Sequence, residues 1–139
     1  MSLETADRGS LRLMPLVYSN LARCGLGDSS MAALKERYIR TRYANRELLR
    51  HLARLLLLFE SRTIPTLVLK GAALGALVYR DPGLRPMADL DVAVPHSHAS
   101  QATTLLLQSN WSLENIPLRV QTRPASLAAL QFSSPDGVQ

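Results

Sequence analysis

The chain has 139 residues, of which 47% are hydrophobic and 19% charged, and its net charge is +5 at pH 7. This length and composition are typical of one folded domain with a sizeable core, and they exclude a disordered chain. The longest apolar run, Leu55 to Phe59, is far shorter than the roughly 20 residues that a membrane-spanning helix needs. The start of the chain has no secretory signal pattern and the single cysteine cannot form an internal disulfide, so we expect a cytoplasmic protein without membrane contact.

The first 63 residues are predicted to form a helical segment. Apolar side chains recur at helical spacing between Ser10 and Cys24, and the glycines at 25 and 27 end this first helix. Asp28, Ser29 or Ser30 can cap a second, long helix that runs toward Ser61. The polar middle of the second helix, residues 40–45, is a candidate for a kink or break.

Most of the positive charge lies in this helical segment. Residues 1–63 carry 11 basic and 6 acidic side chains, whereas residues 64–139 carry 5 of each. Four arginines recur every four residues and form a basic stripe: Arg42, Arg46, Arg50 and Arg54. The stripe is either a contact for nucleic-acid phosphates or, more simply, a solvated helix face.

Residues 64–139 alternate short strands with helices and are predicted to form a second domain of α+β or α/β class. The predicted elements are a strand at 65–69, a short helix at 71–79, a loop at 81–86, a strand at 89–94, a helix from 97 or 98 to 109, a strand within 113–123, a strand at 128–133 and a turn at 135–137.

Two acids open the second predicted strand. Because side chains alternate along a strand, Asp89 and Asp91 are expected on one face, with Leu90 and Val92 turned to the core. Two neighbouring carboxylates repel each other unless a cation lies between them, and magnesium prefers such oxygen ligands. The alternative is a pair of acids that serve a turn and a helix cap.

Basic residues and a glycine precede these acids. A glycine at a strand-to-helix junction, such as Gly71, lets a phosphate approach the backbone and the N–H groups of the helix, and Lys70 adds a positive charge. Arg85 lies in a loop with two prolines, where it can grip a phosphate or pair with Asp81 or Asp89. The alternative for Lys70-Gly71 is a plain turn with the lysine in solvent.

In this order, the motifs resemble those of the uncharacterised bacterial nucleotidyltransferases, a family of the DNA polymerase beta-like superfamily. The resemblance rests on Leu-Lys-Gly at 69–71, a tyrosine at 79 and Asp-Pro-Gly-Leu-Arg-Pro-Met-Ala-Asp-Leu-Asp at 81–91. It covers residues 64–139 and, more weakly, the long helix before them. It implies a nucleotidyltransferase-like mixed sheet that follows an N-terminal helical segment. It also implies transfer of a nucleoside monophosphate from a nucleoside triphosphate to an acceptor hydroxyl, with nucleotide and acceptor left open.

The resemblance assigns a role to each candidate site residue. Asp89 and Asp91 would hold two magnesium ions and take part in catalysis, while Lys70, Gly71 and Arg85 would bind the triphosphate. The wider superfamily has a serine or a second glycine after the first glycine, whereas this chain has alanine, as the resembling family commonly does.

One expected acid is missing. The family's third carboxylate follows a Pro-Asp-Gly turn, but this chain ends at Pro135-Asp136-Gly137-Val138-Gln139, and Asp136 and Glu114 are poor substitutes. We therefore expect a core that is incomplete at its C-terminus and belongs to a longer protein, and we leave open whether this polypeptide is catalytic. The alternative is a non-catalytic nucleotide- or partner-binding module whose basic helix contacts a protein or nucleic acid.

Overall fold

The computed structural model describes residues 7–26, 31–113 and 130–135. Their helices and strands, in chain order, are α1 (Arg8–Arg23), α2 (Ala32–Glu60), β1 (Leu67–Val68), α3 (Lys70–Leu74), β2 (Val92–Ala93), α4 (Ala99–Gln108), β3 (Ser112–Leu113) and β4 (Phe132–Ser133). A π-helical turn (Gly75–Tyr79) continues α3, and a 3-10 turn (His96–His98) precedes α4. This mixture of long N-terminal helices with small sheets confirms the predicted α+β fold. Among the described residues no helix is both long enough and apolar enough to span a membrane.

Both ends of α1 follow from the local sequence. The Asp7 side chain accepts a hydrogen bond of 2.9 Å from the Ser10 amide and so caps the first turn. At the other end Gly25 takes a left-handed φ of 72°, and the Leu26 amide donates to the Leu21 carbonyl at 3.0 Å. This is a Schellman ending, which a glycine favours because it lacks a Cβ.

Helix α2 runs without interruption for 29 residues. The predicted break in its polar middle is therefore absent. One side of this helix is buried at a spacing of three or four residues, through Thr41, Asn45, Leu48 and Leu52. Two members of this buried row are polar, and Asn45 is only 2% exposed.

The chain divides into two compact units, each made of two stretches. The first unit combines residues 1–52 with 68–91, and the second combines 53–67 with 92–139. The second unit has a hydrophobic core of Leu55, Phe59, Ile64, Ala102, Leu105 and Leu106, against which Val92, Val94 and Trp111 pack. The domain boundary predicted at residue 63 stays a prediction.

The strands are shorter than the sequence pattern predicts. β1 and β2 form a two-stranded sheet, and β3 pairs antiparallel with β4. The strand predicted at 89–94 is reduced to Val92–Ala93, so both acids lie before the strand and not in it. Aspartate is disfavoured in strands, which accounts for the later start of β2. Most of the later predicted strand segments, and the turn after Pro135, lie outside the described residues.

Candidate functional site

The predicted glycine turn lies at the start of α3, where Lys70 and Gly71 are the first two residues of the helix. Leu69 is extended, with φ −119° and ψ 172°, and Lys70 then takes a left-handed φ of 45° as the first residue of α3. A lysine in this region is uncommon and persists only where surrounding contacts hold it. Two bonds to one residue do so here: the Leu69 amide donates to the Asp91 carbonyl at 2.9 Å, and the Lys70 side chain reaches the Asp91 carboxylate.

The Lys70 ammonium pairs with the acidic motif. Its Nζ lies 2.7 Å from Oδ1 of Asp91, and the Lys70 side chain is 72% exposed against 28% for Asp91. The hydrogen bond and the charge of Asp91 raise the pKa of Lys70, and the charge of Asp89 adds to this effect. Within this structure the cation beside the acid pair is therefore a lysine of the chain itself.

The two acids differ in their surroundings. Asp89 is exposed, whereas Asp91 is half-buried and is bonded through both its carbonyl and its carboxylate. In residues 7–26, 31–113 and 130–135 no group of three or more His, Cys, Asp or Glu side chains could hold a metal ion. Glu114 and Asp136, the other acids considered, lie outside these ranges. The described site thus offers two carboxylates.

Arg85 lies against Gly71. A Cβ added to Gly71 would come within 3.0 Å of Arg85 Nη1, and within 3.2 Å of Cγ and 3.3 Å of Sδ of Met87. A side chain at this position would require the guanidinium and the methionine to move by a few tenths of an ångström. The structure therefore brings the basic group of the loop onto the glycine turn, which adjoins the Lys70–Asp91 pair.

A polar side chain of α2 holds the loop that carries Arg85. Asn45 Nδ2 donates to the carbonyls of Pro82 and Arg85 at 2.6 and 2.7 Å, and its Oδ1 accepts from the Met87 amide at 3.1 Å. All three bonds go to backbone groups, so they fix the path of the loop whatever its side chains are. Asn45 is the residue that the sequence prediction missed.

A second contact holds the start of the loop. Tyr38 Oη donates to Asp81 Oδ2 at 2.8 Å, and the Gly83 amide donates to Asp81 Oδ1 at 2.8 Å. Burial, followed by the bond to Asp81, raises the pKa of Tyr38. Both oxygens of Asp81 are thus engaged with Tyr38 and Gly83. Whether Arg85 binds a phosphate or pairs with Asp81 or Asp89 stays a prediction.

The basic stripe of α2 is the remaining candidate. The four arginines of the stripe are exposed, and Arg50 is bonded to Glu47 at 2.5 Å, as expected for a solvated helix face. The nucleic-acid interpretation of the stripe stays a prediction.

Comparison with known proteins supplies the family. The sequence pattern of a family described as uncharacterised nucleotidyltransferase matches residues 9–124, which includes the glycine turn, the arginine loop and the acid pair. No curated protein and no solved structure matches the chain. Because the matched residues make up most of the chain, this protein belongs to the uncharacterised nucleotidyltransferase family.

Proposed function

We propose that this chain carries the nucleotide site of a metal-dependent nucleotidyltransferase, which moves a nucleoside monophosphate from a nucleoside triphosphate to an acceptor hydroxyl. The bond between the acceptor oxygen and the α-phosphorus forms as the bond from that phosphorus to pyrophosphate breaks. The hydroxyl proton passes to water or to a carboxylate of the site. Nucleotide identity and acceptor are left open.

The observation that carries the proposal is the juxtaposition around the glycine turn. Three segments that are separate in sequence meet there: Lys70-Gly71, the loop with Arg85, and Asp91. Two cationic side chains beside a backbone that lacks a Cβ suit a triphosphate, because its oxygens accept hydrogen bonds from both the ammonium and the guanidinium. The family match gives this chemistry its reaction class.

The donor set also fits a divalent ion. Magnesium is commonly held by one or two carboxylates together with substrate phosphates, so Asp89 and Asp91 suffice as its protein ligands. When bound, the ion neutralises negative charge on the triphosphate and on the departing pyrophosphate. Asp91 would then exchange its bond with Lys70 for the metal, which would free the ammonium for the triphosphate.

The test is thermal unfolding of the protein with magnesium and each of the four common nucleoside triphosphates. A ligand at 100 times its Kd stabilises the native state by about 2.7 kcal/mol, which is a readily measured rise in melting temperature. We expect at least one nucleotide to give this rise in the presence of magnesium and a much smaller one in EDTA.

The variant Asp89→Asn/Asp91→Asn should lose the rise. Its matched control is Glu36→Gln/Glu47→Gln, which removes the same charge from two exposed acids of α2 that pair with Arg40 and Arg50. If neither the native protein nor the control responds to any nucleotide, the proposal is wrong for this chain. If nucleotide binds but no acceptor hydroxyl is ever modified, the chain is a nucleotide-binding module without transferase activity.

A further inference from the structure

We propose that Asn45 is a positioning residue of the nucleotide site, acting through Arg85. This inference rests on the proposed function and extends it to a residue of α2 that lies 40 positions away from Arg85 in sequence. Asn45 would not touch the nucleotide. It would fix the backbone of residues 82–87, and so determine where the Arg85 guanidinium lies relative to Gly71.

The first step of the argument is the burial of Asn45. An asparagine that is 2% exposed must satisfy two N–H groups and a carbonyl oxygen inside the protein, or its burial costs free energy. Here the loop supplies all of the partners: the carbonyls of Pro82 and Arg85 and the amide of Met87. The side chain and the loop therefore satisfy one another, and the loop has one preferred path against α2.

The second step is the position of the bonded groups. Asn45 binds the backbone of Arg85 itself and of Met87, two residues later. The side chains of these same two residues lie against Gly71. A shift of this backbone would therefore move the guanidinium away from the glycine turn, although no side chain of the site had been changed.

The third step separates positioning from simple support of the helix. Leu48 lies three residues later on α2 and is also buried, with 8% of its surface exposed. Leu48→Ala removes core packing from the same side of the same helix and leaves the three loop bonds in place. It is the matched control, because it lowers stability without releasing the loop.

The experiment measures the Kd for magnesium and nucleoside triphosphate in the full chain, with Asn45→Ala, Arg85→Ala, the double variant and Leu48→Ala. We expect Asn45→Ala to weaken binding about 10-fold and Arg85→Ala to weaken it at least as much. In the Arg85→Ala background the change at Asn45 should cost less than about 2-fold, since its effect passes through the missing guanidinium. Leu48→Ala should lower the melting temperature but change the Kd of the folded protein less than about 2-fold.

A second measurement needs no nucleotide. Hydrogen exchange at the Met87 amide should rise about 10-fold or more in Asn45→Ala and much less in Leu48→Ala, because the amide loses its acceptor in the first variant only. Unchanged exchange at the Met87 amide in Asn45→Ala would overturn the inference. So would a double variant whose loss of affinity equals the product of the losses in the two single variants, because Asn45 would then act independently of Arg85. Absence of nucleotide binding by the native protein would instead overturn the proposed function and this role with it, while the exchange result would still show whether Asn45 fixes the loop.

Discussion

Gly83→Ala should destabilise the protein through one steric contact. Gly83 is buried, and a Cβ at this position would lie 2.7 Å from Cζ and 2.9 Å from Cδ2 of Tyr38. Carbon atoms normally approach to about 3.5–4.0 Å, so the overlap is on the order of 1 Å. The ring cannot simply swing aside, because its hydroxyl is bonded to Asp81 at 2.8 Å and its centroid lies 5.2 Å from that of Tyr18.

The expected cost follows from this overlap. Inserting a methyl group into a well-packed site typically costs about 1–3 kcal/mol. At this chain length each kcal/mol corresponds to roughly 3–5 °C in melting temperature. Since the backbone of Gly83 is not left-handed, alanine can adopt its conformation, and the contact with Tyr38 accounts for the whole effect.

The assay is thermal and urea unfolding of Gly83→Ala beside a matched glycine control. Gly75 is helical, with φ −58° and ψ −43°, and a Cβ there meets nothing within 4 Å. Gly75→Ala should therefore stabilise the protein by about 0.4–1 kcal/mol. In a Tyr38→Ala background the cost of Gly83→Ala should nearly vanish. The reasoning would be refuted if Gly83→Ala melted at the same temperature as the native protein. It would also be refuted if Gly83→Ala lowered the free energy of unfolding equally with and without the Tyr38 ring.

Three other predictions concern the core, a helix cap and the acid pair. Phe59→Ala should lower the free energy of unfolding by about 3–5 kcal/mol in urea titration, because Phe59 is 2% exposed in the core of the second unit. The hydrogen bonds from Ser10 lower the pKa of Asp7 below its ordinary 3.8. The stability that this cap contributes should therefore be present above pH 3.8 and lost as the pH falls through the lowered pKa. The difference in melting temperature between the native protein and Asp7→Ala should shrink over the same pH range, and a constant difference would contradict this. Lys70→Met should bind magnesium alone several-fold more tightly, because the variant lacks the ammonium that competes for Asp91. It should bind magnesium with nucleoside triphosphate more weakly, because it also lacks a phosphate ligand. Calorimetry measures both affinities, and a change in the same direction for both would count against the proposed site.

Local patterns in the sequence were enough to predict the helices. The apolar spacing of α1 and its glycine ending appear in the structure at Arg8–Arg23 and Gly25. The helix predicted at 71–79 is present, although it begins at Lys70 and changes to a π-helix at Gly75. A run of alanine and leucine is compatible with either helical hydrogen-bond pattern, so sequence spacing cannot distinguish them.

The role of Asn45 could not be predicted from its neighbours, because its partners lie about 40 residues away. The polar residues at 40–45 indicate a kink or break, but α2 continues through them. One signal was available: Asn45 lies seven residues after Tyr38 and three before Leu48, on the side of the helix that carries these two large side chains. A polar residue at such a position predicts a buried hydrogen-bond partner, though not its identity.

The charges around the acid pair determine how a metal ion and a nucleotide can bind. Two neighbouring carboxylates require a cation, and the structure provides the ammonium of Lys70. Arg85 also lies near Gly71. The net charge of the site is therefore zero, since it has two basic and two acidic side chains: Lys70, Arg85, Asp89 and Asp91. A neutral site has little attraction for a bare divalent cation, whereas a metal–triphosphate complex offers a cation to the acids and anionic oxygens to the bases at once. We therefore expect metal and nucleotide to bind together, each strengthening the binding of the other. Magnesium that binds the native protein as tightly without nucleotide as with it would contradict this coupling, because the Lys70–Asp91 bond would then offer no resistance to the metal.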